Sequence, residues 1–167
     1  MTVAKGLFRD AMARLGAAVN VITSDGPAGL AGCTASAVCS VTDDPPTLLL
    51  CLNRSSVNNA SFKTNGVVCV NTLGHAHEEL SGVFAGRTGV DIGGRFAAAQ
   101  WQRGTTGAPI LADASVAFDC TVSQCVEVGT HTVFFCEVQE IRLGPADQGL
   151  IYFGRSYHRL GGAAEGQ

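Results

Sequence analysis

Hydrophobic positions along the chain change their period several times, and each change marks an element. Leu7, Phe8, Ala11, Met12 and Leu15 share one face at helical spacing, with Arg9, Asp10 and Arg14 elsewhere, which predicts a short amphipathic helix. From Ala17 to Ser24 the period becomes two, Val19 and Val21 alternating with Asn20 and Ile22. Asp25-Gly26-Pro27 is a turn signal and predicts a hairpin into Gly29 to Ala35. Asp43-Asp44-Pro45-Pro46 breaks the chain before Thr47 to Leu52, a continuous apolar run suited to a strand buried on both faces. Asn and Ser residues cluster at the start of Val57 to Lys63, where helices are capped, so a short helix is expected there.

Val67 to Thr72 reads as a strand and Glu78 to Phe84 as a helix, followed by a glycine-rich loop from Gly86 to Gly94. Trp101 is expected to anchor the long loop. The clearest alternation is Val116, Phe118, Cys120, Val122, Val126 and Val128, broken only by Gln124. After Gly129, Thr132 to Ile141 is rich in β-branched and aromatic residues, and Leu150 to Phe153 forms a last short strand. About six to eight strands and two or three short helices, with no βαβ rhythm and no repeat, predict a mainly β fold. A mostly antiparallel barrel with peripheral helices fits best.

The 167 residues fit one domain over 1–167, with a core over about 7–160 and a loose tail at 161–167. Charged residues make up 15% of the chain, below the roughly 25% of an average globular protein, while 46% are hydrophobic. A well-covered, oligomeric domain is expected. A net charge of -3 argues against a nucleic-acid partner. No apolar stretch approaches the roughly 20 residues that span a bilayer, and Met1 to Asp10 lacks the apolar run of a signal peptide. A cytoplasmic protein with no membrane partner is the expectation. The seven cysteines (Cys33, Cys39, Cys51, Cys69, Cys120, Cys125, Cys136) form no C-x-x-C pair and mostly sit in apolar segments. They read as reduced core thiols and not as metal or redox groups.

No G-x-G-x-x-G follows a strand, no Walker A loop is present, and no G-x-S-x-G elbow exists for a serine hydrolase. His75 and His77 have no third ligand in sequence reach, so solvent-facing histidines are expected and no metal. Two clusters of small polar residues remain. Gly32-Cys33-Thr34-Ala35-Ser36-Ala37 reads either as an ordinary tight turn or as a backbone against which a flat ring can lie, its heteroatoms meeting N–H groups and hydroxyls. Asn53-Arg54-Ser55-Ser56 reads either as an N-cap or as a phosphate site built from a helix N-terminus, hydroxyls and a guanidinium. Together they suit a ligand with a flat polar ring at one end and a phosphate at the other, as in a flavin nucleotide among others. His131, opening a strand after Gly129-Thr130, is either a turn residue or a near-neutral group beside a ligand. Tyr157 and His158 lie beyond the last strand.

These residues, with Phe8-Arg9-Asp10-Ala11-Met12, Pro45 to Arg54, Gly129-Thr130-His131 and Phe153-Gly154-Arg155-Ser156-Tyr157-His158, resemble the short-chain flavin reductases of two-component monooxygenases. The resemblance runs in order from about Leu7 to Leu160. Met12 to Val21, Arg95 to Trp101 and Phe134 to Glu137 are most similar to the branch serving pyrimidine utilisation. Aromatic-hydroxylase relatives commonly read Gly-Asp-His and Gly-Glu-Val where this chain has Gly129-Thr130-His131 and Cys136-Glu137-Val138. The loop Thr88 to Gly94 matches less well.

The resemblance implies an FMN-binding split β-barrel, antiparallel and Greek-key-like, that forms a homodimer with flavin near the subunit interface. It implies hydride transfer from NADH to FMN or FAD, and release of reduced flavin to a flavin-dependent monooxygenase, in pyrimidine (uracil) degradation for this branch. Thr34, Ala35, Ser36 and Ala37 would line the ring and ribityl chain, and Asn53, Arg54, Ser55 and Ser56 would hold the ribityl and phosphate end. His131 would sit beside the nicotinamide and ring as the catalytic residue, and Tyr157 would close the NADH pocket. Arg155 or Arg159 would be available to a 2′-phosphate. A tight flavin-binding sensor or carrier on the same barrel is the alternative, and an oxidase of a bound amine the third reading.

Overall fold

A computed structural model describes residues 2–161. Helix α1 (Lys5–Met12) leads into β1 (Ala17–Ala18), β2 (Asn20–Ser24), β3 (Ala31–Ala35), β4 (Val38–Asp43) and β5 (Pro46–Asn53). Next come α2 (Val57–Asn65), β6 (Val67–Thr72), a 3-10 turn (His75–His77), α3 (Glu78–Phe84) and α4 (Ile92–Ala97). The chain closes with β7 (Trp101–Arg103), β8 (Pro109–Leu111), β9 (Val116–Val128), β10 (His131–Leu143), β11 (Gln148–Phe153) and β12 (Ser156–Gly161). The expected loose tail lies, beyond Gly161, outside the described residues.

Seven strands form one antiparallel sheet in the order β3-β2-β6-β9-β10-β5-β4. Its two edge strands are consecutive in sequence and only Ser36 and Ala37 separate them, so the sheet must curl until its edges meet. That is the expected split barrel. Side chains facing the inside of the curl, among them Ile22, Leu48, Leu50, Val68, Val70, Cys120, Phe134 and Cys136, pack with Phe62 of α2 into one core. The opposite face of β2, β6 and β9 offers Val21, Cys69 and Ala117 to a second core with Leu80 and Phe84 of α3, Ile110 and Leu111 of β8, and Leu150 of β11. Burial on this scale supplies roughly 1.5–3 kcal/mol for each large side chain.

Local chemistry sets the ends of the elements. The Ser56 hydroxyl caps α2 by accepting from Asn58 N at 3.3 Å, and Gly66 closes the helix at φ 67°, a left-handed turn that glycine adopts freely. Trp101 anchors its segment as expected: Nε1 donates to Phe96 O at 2.8 Å, and its ring lies 5.6 Å from that of Phe84.

Several expectations need correction. The glycine-rich loop contains α4, which begins where Asp91 accepts from Gly94 N at 2.8 Å. The sequence pattern does not predict strands β4, β7, β8 and β12, and the described residues hold twelve strands where about six to eight are expected. Leu48 and Leu50 of β5 are buried, but Leu49 and Cys51 are only half-buried, because no element among the described residues covers the outer face of β5. His77 does not face solvent: its side chain is 12% exposed and its Nε2 lies 3.1 Å from Asp113 Oδ1.

Candidate functional site

The link between the sheet's edges is held from both sides. The Asn20 amide donates to Ala35 O and Ala18 O at 3.2 Å each, and Cys51 N donates to Ala37 O at 2.9 Å. A backbone pinned this way can carry side chains no larger than a methyl or hydroxymethyl and still keep its shape. Ser36 and Ala37 are exposed. Thr34, Ala35 and Ser36 line a cleft of about 160 Å³ with Tyr152, Tyr157 and Arg87.

Tyr157 is set by a relay across three elements. Thr34 Oγ1 donates to Ser81 O at 2.6 Å, and Ser81 Oγ lies 2.7 Å from the Tyr157 hydroxyl. The Arg87 guanidinium sits 5.7 Å from the Tyr157 ring centre, within cation–π range. The ring of Tyr152, opposite Tyr157 in the β11–β12 pairing, stands 5.4 Å away.

The second cluster forms a tight corner at the end of β5. Asn53 Oδ1 accepts from both N and Oγ of Ser55 at 2.9 Å, an Asx turn that leads into α2. Arg54 N donates to Thr130 O at 2.9 Å, and His131 is the register partner of Asn53. Thr130 Oγ1 lies 2.9 Å from His131 Nδ1. Arg54 Nε stands 3.4 Å from Glu127 Oε2, with the guanidinium side chain still 53% exposed. The hydrogen bond from Lys63 holds the Glu127 carboxyl below its usual range against partial desolvation, with Thr132 and Arg54 assisting, so the hairpin end carries a fixed negative charge.

The fold therefore brings Asn53, Arg54, Ser55, Ser56 and His131 together, and it joins that corner to the first cluster. Gly32 N donates to Asn58 Oδ1 of α2 at 2.9 Å, and Ala37 lies against Cys51, two residues before Asn53. It does not place His131 and Tyr157 in one cleft: Tyr157 faces Thr34, whereas His131 stands at the β9–β10 hairpin. Sequence reasoning missed Arg87, Ser81 and Tyr152. Tyr152 had a signal, since Phe153-Gly154-Arg155-Ser156 is a two-residue hairpin with both central residues at positive φ (59° and 63°). Burial pushes the Cys33 and Cys136 thiols up to about 12 and raises Cys69 and Cys120 as well. These four are neutral packing groups.

The sequence profile of the flavin reductase like domain matches residues 12–161. The chain belongs to that family. It is 58% identical to an FMN reductase (NADH) RutF of Ancylobacter novellus, over 98% of this chain and 90% of that protein. A protein of the same name from Cronobacter sakazakii is 59% identical over 92% of this chain and 91% of its own length. A crystal structure described as a flavin reductase from Haemophilus somnus 129PT superposes with a TM-score of 0.90 at 42% identity, covering 95% of this chain and all of the other. Both polar clusters, His131 and Tyr157 fall inside the matched flavin reductase like region, while α1 lies almost wholly before it.

Proposed function

We propose that this chain is a single-domain NADH-dependent flavin reductase that reduces FMN, with FAD as a second acceptor, and releases the product to a separate flavin-dependent monooxygenase, in pyrimidine degradation for the branch it resembles. One observation carries the reading: the small-residue link and the Asn53–Ser56 corner are tied to one another, through the buried Gly32–Asn58 hydrogen bond and through Ala37–Cys51. The relatives named FMN reductase (NADH) support the choice of donor and acceptor.

The residues fit a flavin nucleotide. Ala35, Ser36 and Ala37 present a flat strip with one hydroxyl, suited to the polar edge of the ring. Asn53 would hold the ribityl chain. The Ser56 hydroxyl accepts from Asn58 N and keeps its own proton to donate, Arg54 is half free, and the first turn of α2 adds its N–H groups, a donor set for one phosphate. When bound, the flavin supplies the ring that accepts a hydride from nicotinamide.

The chain's own work is placement. The strip would support one face of the ring, Tyr157 is held by Ser81 at the rim, and His131 would stabilise charge at the ring edge. No strong general base is needed, and an open corner favours release of the product.

A homodimer is part of the proposal. Leu7 and Phe8 of α1 are exposed, and so are Val126, Val128, Ile141 and Leu143 along β9 and β10. Apolar surface on this scale marks an interface. We place the reaction in the cytoplasm, in keeping with seven free thiols. The described residues include no helix long and apolar enough to cross a membrane.

The test is NADH oxidation by the purified protein with FMN, with FAD and without flavin. Fast turnover that requires added flavin is expected, with FMN preferred. No oxidation by a protein that stays yellow through gel filtration would replace the reductase with a tight-binding carrier.

A further inference from the structure

The cleft beside Tyr157 does not end at Ser36. Ser36 and Tyr152 also form the wall of a second recess, of about 460 Å³, that opens beneath α1. Arg9 and Arg155 lie at its rim, and Met12, Leu15 and Ala37 contribute apolar surface. The recess is built and not accidental in shape: Gly154 N donates to Ala13 O at 2.7 Å, which fastens the β11–β12 turn to the end of α1. Arg155 pairs with Asp10 at 2.5 Å, whereas Arg9 has no ion pair among the described residues.

The chemistry of this lining is specific. Two guanidiniums favour a diphosphate, which they can hold bidentately. Apolar walls of Met12 and Leu15 beside the Tyr152 ring favour a flat base. A lone phosphate would leave those walls unused, and a nucleic-acid backbone would meet a chain of net charge -3. A ligand whose ring enters the cleft at Thr34–Ser36 and whose remainder turns past Ser36 would lay a nucleotide here.

We infer that the recess beneath α1 binds the adenosine diphosphate half of a dinucleotide, with the diphosphate on Arg9 and Arg155 and the base against Met12 and Leu15. The inference rests on the reductase reading of the adjoining cleft. NADH and FAD carry the same half, so the recess serves either the donor or the larger acceptor. Arg9 is a specificity-determining residue in both cases: it rewards the dinucleotide over its truncated form without touching the reacting atoms.

The experiment pairs binding with kinetics. ADP-ribose is titrated calorimetrically into the wild-type chain, Arg9→Ala and Arg9→Lys. One site is expected in the wild type, weakened at least fivefold by Arg9→Ala and largely restored by Arg9→Lys, the range of a lost charged hydrogen bond. Since α1 buries no residue, Arg9→Ala leaves the fold intact, which circular dichroism checks.

With FMN as acceptor, Arg9→Ala should raise KM for NADH about tenfold and raise KM for reduced nicotinamide mononucleotide less than twofold, because only NADH has the ADP half. A rise in KM for FAD alone, measured with the truncated donor, assigns the recess to the acceptor's adenylate instead. No ADP-ribose binding to the wild type, unchanged binding by Arg9→Ala, or an equal effect on both donors overturns the inference. Binding of ADP-ribose by a chain that oxidises no NADH would sink the reductase reading and leave the recess standing.

Discussion

His131 owes its position to strand register. It faces Asn53 across the β5–β10 ladder, with Thr130 against its Nδ1, so removing the imidazole leaves the ladder intact. We expect His131→Ala to slow hydride transfer about tenfold or more, in the range of a lost proton-handling group, while the FMN dissociation constant moves less than threefold. Stopped-flow reduction and a fluorescence titration check the two halves, and an equal loss in both would remove the assigned role. The residues legible in the sequence are those whose chemistry is local. Thr34–Ala37 and Asn53–Ser56 are contiguous runs of small or polar side chains, and a reader meets each run whole. Arg87, Ser81 and Arg9 reach the same surface from other elements, and no spacing along the chain marks them.

Elements were legible where caps and periods agree. Glu78–Phe84 was found because an apolar face follows an acidic first turn, and Val57–Lys63 because Ser and Asn crowd its start. Helix α4 was hidden because its single cap, Asp91, sits among glycines that favour no helix. Strands β4 and β12 were hidden because most of their residues are exposed and show no apolar alternation.

How elements seat on one another decides the next two outcomes. A Cβ on Gly32 would stand 2.8 Å from Cε1 of the buried Phe84 ring. Gly32→Ala must therefore push α3 away from β3, at a cost of about 1–3 kcal/mol, and should raise KM for flavin by loosening the Thr34–Ser81–Tyr157 relay. Chemical denaturation and steady-state kinetics measure both. On β10, the hydrogen bond from Arg142, with two more from Thr105, lowers the Glu140 carboxyl from 4.5 to about 2. A carboxylate with a depressed folded pKa stabilises the fold fully above its ordinary value and loses that contribution as pH falls. The difference in urea midpoint between the wild type and Glu140→Gln should stay constant above pH 4.5 and shrink as the pH falls towards about 2.

At the scale of the molecule, a barrel with apolar side chains along its outer strands and on α1 should not stand alone. Light scattering at micromolar concentration is expected to give twice the 17.2 kDa chain mass. A monomer would refute the dimer while leaving the cleft within one chain untouched. The antiparallel barrel was legible from strand alternation, but its closure was not, because closure depends on which strands become edges. That closure has a consequence. Ser36 and Ala37 are at once the seam of the barrel and part of the lining of the cleft and its neighbouring recess. Assembly and competence are then a single event: a chain whose edges have not met has no partial site to offer, and every functional site counts one completed barrel.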